Sequence, residues 1–289
     1  MDIIRTISQE LNIKTWQAEA TIKLIDEGNT IPFIARYRKE VTGSLNDEVL
    51  RQFHERLLYL RNLEDKKAQV MSSIEEQGKL TPELKRAIEA AETMVAVDDL
   101  YRPYRPKRRT RATIAKEKGL EPLANILLLQ MMKKPLIEEA TAYISDEKGV
   151  ASAEEALEGA KDILAEMVSD SAAYRSYIRR VTENEGKIVS KARDEKEKSV
   201  YENYYDYEEA VNKIPGHRIL AINRGEKEKF LTVRIEAPEG KILRYLEKKV
   251  IRKDNSQTEE ILKDVIADSY RRLIAPAIER EVRNELTEK

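Results

Sequence analysis

The chain has 289 residues, of which 41% are hydrophobic and 36% charged, with 52 basic against 53 acidic side chains. This length can bury a large core in one or two domains, and the charge balance excludes a protein that binds polyanions through bulk charge. Because the sequence contains no cysteine, disulfides, thiolate metal sites and cysteine nucleophiles are also excluded.

The amino terminus shows no basic stretch followed by an apolar run, the pattern of a secretory signal. No later apolar run approaches the roughly 18 residues needed to span a bilayer. We therefore expect a cytoplasmic protein without a membrane partner.

Two short helices are predicted over residues 3–25, with a tight turn at Asn12 and Ile13. Their spacing is that of a helix-turn-helix module. The second helix, however, offers Lys23 as a lone cation among three acids. Packing is therefore the favoured role of this module, and sequence-specific DNA reading is the alternative.

A long helix is predicted to begin near Leu45 or Asn46 and to end at Gly78, because apolar residues recur every three or four positions between them. At about 1.5 Å per residue it would measure roughly 45 Å. We expect this helix to act as a spine for its neighbours. Thr81 and Pro82 then predict the start of the next helix.

The segment from Tyr101 to Lys118 is the most basic part of the chain. Eight cations against Glu117 alone give a local charge of +7: Arg102, Arg105, Lys107, Arg108, Arg109, Arg111, Lys116 and Lys118. Pro103 and Pro106 predict an extended backbone from Tyr101 to Lys107. Guanidinium groups suit phosphate, so the segment favours nucleic-acid binding. A solvated loop that pairs with nearby acids is the alternative.

Further helices are predicted after this basic segment, up to about residue 182. In the helix from Ala172 to Thr182, three arginines stand at helical spacing and predict a second, weaker basic face: Arg175, Arg179 and Arg180. A merely solvated helix face is the favoured interpretation of these three residues, and a functional basic face is the alternative.

Beyond Gly186 the pattern alternates between apolar and polar residues in KIVSKAR and again in FLTVRIEA, which predicts two strands. Between them, residues 214–228 fit a short helix better than a strand. The carboxyl-terminal third is again helical, and its uncapped end predicts that the natural chain continues.

These elements predict a mainly α fold: a multi-helix array with a helix-turn-helix-like module, a spine helix and a small two- to three-stranded β element. Three regions are expected, at 1–75, 76–185 and 186–289. The first holds the helix-turn-helix-like module and the start of the spine, the second a helical core with the basic segment, and the third the β element and the last helices.

The sequence shows no pattern typical of an enzyme. It contains neither a phosphate-binding P-loop nor a glycine-rich dinucleotide turn. Its two histidines, His54 and His217, are expected to be structural. We therefore predict no catalytic residue, no metal site and no cofactor.

Four motifs together resemble one family, the Tex transcription accessory proteins of bacteria. The motifs are IPFIARYRKEVTGSLND from Ile31, YRPYRPKRRTRATIAKEKGLEPLA from Tyr101, HRILAINRGEKE from His217 and APAIEREVRNELTEK from Ala275. They are spread over essentially the whole chain, so the resemblance covers all of it.

The resemblance implies the amino-terminal helical half of a longer protein that continues into a ribonuclease-H-like domain, helix-hairpin-helix elements and an S1 domain. It implies a non-enzymatic transcription accessory or elongation factor that binds RNA or DNA without sequence preference near RNA polymerase. Carried onto this sequence, it makes two groups candidates for nucleic-acid binding: Arg102, Arg105, Lys107, Arg108, Arg109 and Arg111 in the basic segment, and Arg36, Arg38 and Lys39 in the first motif.

A second hypothesis is a monomeric protein-interaction scaffold that docks on RNA polymerase or another partner without touching nucleic acid. The neutral overall charge and the spine helix motivate it. Binding to oligonucleotides at two salt concentrations separates the two hypotheses, since only the first predicts steep salt dependence.

Overall fold

A computed structural model describes residues 1–252 and 254–289 of the chain. The fold is mainly α with one small antiparallel sheet, as the sequence predicts. It divides into two compact units, Met1–Tyr104 and Arg105–Lys289. Each unit is described by itself.

The first unit is entirely helical. Its helices are α1 (Ile3–Glu10), α2 (Thr15–Asp26), α3 (Ile31–Tyr37), α4 (Lys39–Thr42), α5 (Asp47–Glu76), α6 (Pro82–Ala90) and α7 (Met94–Tyr101). The predicted spine is α5, whose first turn is capped by the Asn46 side chain accepting from the Val49 amide at 2.8 Å. Gly78, with φ +68°, takes the left-handed conformation just after the helix. The predicted start of the spine at Asn46 and its predicted stop at Gly78 are both confirmed.

The buried stripe of α5 organises the core of this unit. Phe53 is fully buried in a cluster to which α1, α2, α6 and α7 contribute. Leu50 joins a smaller cluster with Leu24, Ile34 and Leu45, which holds α3 against the start of the spine.

A charged side chain is also buried on the spine. The Lys67 side chain is only 2% exposed, and its ammonium group donates to the Glu64 carboxylate at 3.1 Å and to the Glu89 carbonyl at 2.8 Å. Glu89 belongs to the last turn of α6, so this lysine satisfies a carbonyl at a helix end that has no partner within its own helix.

The second unit combines helices with a three-stranded sheet. Its helices are α8 (Arg111–Glu117), α9 (Glu121–Leu129), α10 (Leu136–Thr141), α11 (Ala153–Ser169), α12 (Ala172–Glu185), α13 (Gly216–Lys227), α14 (Glu239–Val250), α15 (Glu259–Asp268) and α16 (Ala275–Glu288). A 3₁₀ turn covers Glu202–Tyr204, and a π-helical segment at Ser269–Ile274 joins α15 to α16. Helix α11 lies at the centre, in contact with α8, α9, α10 and α15.

The sheet contains β1 (Lys187–Ala192), β2 (Asp206–Ala210) and β3 (Leu231–Glu236), in the order β2-β1-β3 and antiparallel throughout. The two predicted strands are β1 and β3, and Ile188 pairs with Ile235 across them. On the edge strand β3, the Ile235 amide donates to the carboxylate of Glu279 on α16 at 3.0 Å. Residues 214–228 contain helix α13, as predicted.

The predicted second basic face on α12 is wrong for two of its three arginines. Arg175 is fully buried, and its Nε donates to the Ser169 carbonyl at 2.7 Å. Arg179 is largely buried and pairs with Glu281 of α16 at 2.9 Å. Of the three, only Arg180 is exposed, and its guanidinium lies 5.8 Å from the centre of the Tyr177 ring.

Two carboxyl groups meet between α12 and α16. Burial raises the pKa of Glu183, and the charge of Glu285 together with a hydrogen bond between the two side chains raises it further. These effects favour the protonated form of Glu183.

The Glu183→Gln variant is expected to melt at a higher temperature than the native chain at neutral pH. A carboxyl whose pKa is raised on folding stabilises the fold below its unfolded pKa, and this contribution is lost as the pH rises through the folded pKa. Glutamine keeps a hydrogen-bond donor and does not ionise, so its advantage should disappear towards about pH 4, near the usual pKa of glutamate. Thermal melts followed by circular dichroism across this range measure the difference.

The matched control is Glu185→Gln, which removes the exposed ion pair with Lys241 and should give no gain at neutral pH. A gain for Glu183→Gln that is equally large at acid and neutral pH would contradict the raised pKa of Glu183.

Among the described residues, no helix is both long enough and apolar enough to cross a membrane.

Candidate nucleic-acid interface

The first part of the basic segment belongs to the first unit and is anchored to the spine. Tyr101 ends α7, and its hydroxyl lies 2.8 Å from the Ser73 hydroxyl. The Tyr104 carbonyl accepts from the Gln77 side chain at 2.9 Å. Arg102 is half-buried in the turn that closes α7, and its amide donates to the Asp98 carbonyl.

The prediction of an extended backbone from Tyr101 to Lys107 is therefore wrong for its first half. The Tyr104 amide donates to the Tyr101 carbonyl at 2.8 Å and closes a turn. The spine supplies partners for this turn that the proline pattern does not reveal. From Pro106 to Arg108 the backbone has no regular structure.

In the second unit, Lys107 is a structural cation. Its ammonium group pairs with Glu166 at 2.8 Å and with Asp170, both largely buried near the end of α11. The Thr110 hydroxyl, which caps α8, also donates to Glu166 at 3.3 Å. These contacts fasten the segment to α11 and leave little of the Lys107 charge for a ligand.

The remaining cations of the segment differ in how far their charge is compensated. Arg109 pairs with Glu117 at 3.1 Å, although both side chains stay exposed. A hydrogen bond from Arg272 lowers the pKa of Asp268, and the charge of Arg111 adds to that effect, so Arg111 lies near an acidic group. Arg105 is exposed. Arg108 is exposed and forms no ion pair within the described part of the chain.

The first motif presents its cations differently. Helix α3 is capped by Thr30 and turns Ile34 inward, where it is fully buried. Arg36 and Lys39 are exposed, and Arg38 is half-exposed at the junction with α4. Within residues 1–252 and 254–289, none of these three cations pairs with a carboxylate.

Aromatic rings take the place of carboxylates beside two of these cations. The Arg38 guanidinium lies 4.9 Å from the centre of the Phe33 ring, and the Arg36 guanidinium lies 5.5 Å from that of Tyr37. Such contacts orient a guanidinium and leave its charge intact. From Ile31 to Leu45 the local charge is +2, three cations against Glu40.

Phe33 and Tyr37 were missed as candidates in the sequence. They are 36% and 53% exposed, and their ring centres lie 5.2 Å apart. Their spacing of four residues is the signal that places both rings on the same face of one helix. We call Phe33, Arg36, Tyr37, Arg38 and Lys39 the α3 surface.

Trp16 is a further half-exposed aromatic residue in this unit, and it is the single tryptophan of the chain. It packs beside Gly43, which has φ +68° just after α4; a side chain at that position would come within 2.7 Å of the indole. Gln17 donates to the Thr42 carbonyl at 3.1 Å and fastens α2 to α4.

Two family models match this chain. The Tex-like protein N-terminal domain matches residues 1–75, and the Tex central region-like model matches residues 132–289, which is more than half of the chain. The chain belongs to the Tex family. The α3 surface lies within the first matched range, and the basic segment lies between the two.

Relatives of this Tex chain occur in bacteria and animals. It is 50% identical over 286 residues to the uncharacterized protein YdcI of Bacillus subtilis, covering 98% of this chain and 40% of the relative. It is 41% identical over 295 residues to the transcriptional accessory protein Tex of Neisseria gonorrhoeae, covering 100% of this chain and 39% of the relative. Human S1 RNA-binding domain-containing protein 1 is 30% identical over 302 residues, covering 99% of this chain and 30% of the relative.

The chain thus spans about 40% of the length of the bacterial relatives just described.

Proposed function

We propose that this Tex chain is a non-enzymatic, sequence-independent nucleic-acid-binding part of a transcription accessory factor. The observation that carries the proposal is the α3 surface. Its three exposed or half-exposed cations form no ion pair among the described residues, and two of them, Arg36 and Arg38, lie beside exposed aromatic rings. The names of the gonococcal and human relatives, which refer to transcription and to RNA binding, support it.

The basic segment takes the auxiliary role in this proposal. Lys107 is engaged by α11, and Arg109 pairs with Glu117, so the nominal +7 overstates the charge that a phosphate would meet. Arg108 and Lys116 are exposed and form no ion pair among the described residues, so they are the cations of this segment best placed to contact a backbone phosphate.

The intact chain is expected to bind labelled oligonucleotides, and its affinity should fall as salt rises. If three phosphates are neutralised on a single strand, a change from about 50 to about 200 mM salt should weaken binding about 20-fold, because each contact releases counterions. Fluorescence anisotropy measures both affinities. The triple variant Arg36→Ala/Arg38→Ala/Lys39→Ala should lose most of the affinity at low salt.

The matched control removes three exposed cations elsewhere in the same unit, by Lys79→Ala/Lys85→Ala/Arg86→Ala. Its net charge equals that of the α3 variant, so it should bind more tightly than that variant by about tenfold. Absence of binding by the native chain at low salt, or equal losses in both triple variants, would overturn the proposal.

The alternative is a protein-interaction scaffold that docks on RNA polymerase without nucleic acid. The observation in its favour is a run of exposed apolar side chains in the second unit, with Leu129 62% and Met131 66% exposed. Retention of the chain by purified, nuclease-treated RNA polymerase, combined with no oligonucleotide binding, would favour this alternative.

A further inference from the structure

A cavity of about 290 Å³ opens in the second unit, where helices α9, α11 and α14 end and α12 begins. Leu128, Met167 and Val168 give it apolar walls, together with Tyr174 and Val250. We call this cavity the α9–α14 pocket. An engineered protein cavity of about 150 Å³ binds benzene, so the pocket has room for a bulky apolar side chain of a ligand.

Hydrogen bonds and ring packing fix the walls of the pocket. Gln130, just after α9, donates from its side-chain amide to the Val250 carbonyl at 2.9 Å and accepts from the Arg252 amide at 3.0 Å. The Tyr174 ring packs edge-on against Tyr245, with the ring centres 6.1 Å apart. Because these groups are already ordered, a ligand that enters the pocket loses little affinity to their immobilisation.

The rim of the pocket is positively charged. Lys249 and Arg252 line it, and both are exposed and form no ion pair within the described part of the chain. No carboxylate is found among the described residues that line the pocket. Asp170, the acid next to the lining residue Ser171, pairs with Lys107. The charges of two cations are therefore available to a ligand beside an apolar interior.

A ligand that matches both features is an acidic peptide with a bulky apolar side chain. Its carboxylates can pair with Lys249 and Arg252, while its apolar side chain is removed from water inside the pocket. An uncharged apolar segment would gain nothing from the two cations. A nucleic acid is also negative, but its bases stack on exposed flat rings, and the ring of Tyr174 is half-buried. The aliphatic walls therefore favour a peptide.

We propose that the α9–α14 pocket binds an acidic peptide segment of a partner protein. The segment inserts one bulky apolar side chain between Leu128, Met167 and Val168 and places carboxylates on Lys249 and Arg252. This site goes beyond the proposed function, which is carried by the α3 surface of the first unit.

The test uses random peptides displayed on phage and selected on the intact chain. Selection is expected to enrich peptides in which acids flank a bulky apolar residue. The enriched peptide is then synthesised with a fluorescent label, and its affinity is measured by fluorescence anisotropy. Replacing its acids by amides, or its apolar residue by serine, should each weaken binding at least about tenfold.

Two variants of the chain test the two parts of the pocket. Lys249→Glu/Arg252→Glu should weaken peptide binding at least about tenfold, because the carboxylates of the peptide would meet like charges. Met167→Gln keeps a side chain of similar length but makes it polar, and should weaken binding about fivefold. Circular dichroism melts check that both variants fold.

The matched control is Lys196→Glu/Lys198→Glu, which makes the same change in net charge in the exposed loop after β1. It should alter peptide affinity by less than about twofold, because salt screens distant charges. Selection of peptides without acids, or equal enrichment on the native chain and on Lys249→Glu/Arg252→Glu, would overturn the proposal. Displacement of the peptide by an oligonucleotide, combined with no effect of Met167→Gln, would also overturn it and assign the two cations to nucleic acid.

The peptide site and the proposed function fail separately. The triple variant of the α3 surface should bind the peptide like the native chain, and Met167→Gln should bind oligonucleotides like the native chain.

Discussion

The Phe53→Ala variant is expected to lose about 3–5 kcal/mol of unfolding free energy in the first unit. Phe53 is fully buried at the centre of the cluster that joins the spine to α1, α2, α6 and α7. Truncation removes the transfer free energy of the ring and leaves a cavity that neighbours on several helices cannot fill together. Urea unfolding measured by Trp16 fluorescence reports on this unit, because Trp16 is the single tryptophan.

Leu58→Ala provides the comparison on the same helix. Leu58 faces solvent, so its truncation should change the unfolding free energy by no more than about 0.5 kcal/mol. A Phe53→Ala chain as stable as Leu58→Ala would show that the spine does not organise this core.

Lys67→Ala is expected to lower the unfolding free energy by about 2–4 kcal/mol. It removes a buried aliphatic chain and also the donor that satisfies the Glu89 carbonyl. Lys67→Met should cost less, since methionine fills most of the same volume. Urea unfolding of both variants, again followed by Trp16, measures the difference. The loss in Lys67→Met reports the hydrogen bonds of the ammonium group, and the additional loss in Lys67→Ala reports the packing of the side chain.

The pH dependence gives an independent check. Burial acts to raise the pKa of Glu64, but hydrogen bonds from Lys67 and the terminal amine outweigh it, and the pKa is lowered. A lowered carboxyl pKa stabilises the fold above its unfolded value, and this stability is lost as the pH falls through the folded pKa. The difference in unfolding free energy between the native chain and Lys67→Met should therefore become smaller as the pH is lowered.

Lys66→Ala is the control for this position. Lys66 forms a more exposed ion pair with Asp98, and the loss of this pair should lower the unfolding free energy by at most about 1 kcal/mol. An equal cost for Lys66→Ala and Lys67→Ala would rule out a special role for the buried ammonium group.

Local signals predicted the helical framework well. Asn46, Gly78, Thr81 and Pro82 act on residues within one turn of themselves, so the bounds of α5 and the start of α6 could be derived from their neighbours alone. Strand β3 shows the alternation that its sequence predicts, whereas the middle strand β1 was predicted correctly although it buries Ile188, Val189 and Ser190 in succession.

What escaped prediction depends on contacts between residues distant in the sequence. Strand β2 reads DYEEA, a composition that disfavours strands, and it forms only because β1 offers a partner. Lys107 looked like a free cation because its partners Glu166 and Asp170 come about 60 residues later. Arg175 looked exposed since its spacing matches that of Arg179, yet α12 turns it fully inward.

The candidate site was predicted only in part for the same reason. The cations of both motifs could be listed from the sequence, but their compensation could not, because an ion pair is a tertiary contact. The geometry shifts the emphasis from the longer basic segment to the shorter first motif, where fewer cations keep more of their charge. Whether the named residues bind nucleic acid stays a prediction that the experiments above address.

The small sheet has two open edges, and each carries its own protection against unwanted strand pairing. On β3, the Glu279 carboxylate occupies the Ile235 amide that an incoming strand would need. On β2, Asp206 pairs with Lys191, Glu208 with Lys187 and Glu209 with Arg218, so an incoming strand would meet an edge of charged pairs that it would have to disrupt. These features predict that the chain stays dispersed at high concentration, and that neutralising the β2 acids would promote edge-to-edge aggregation.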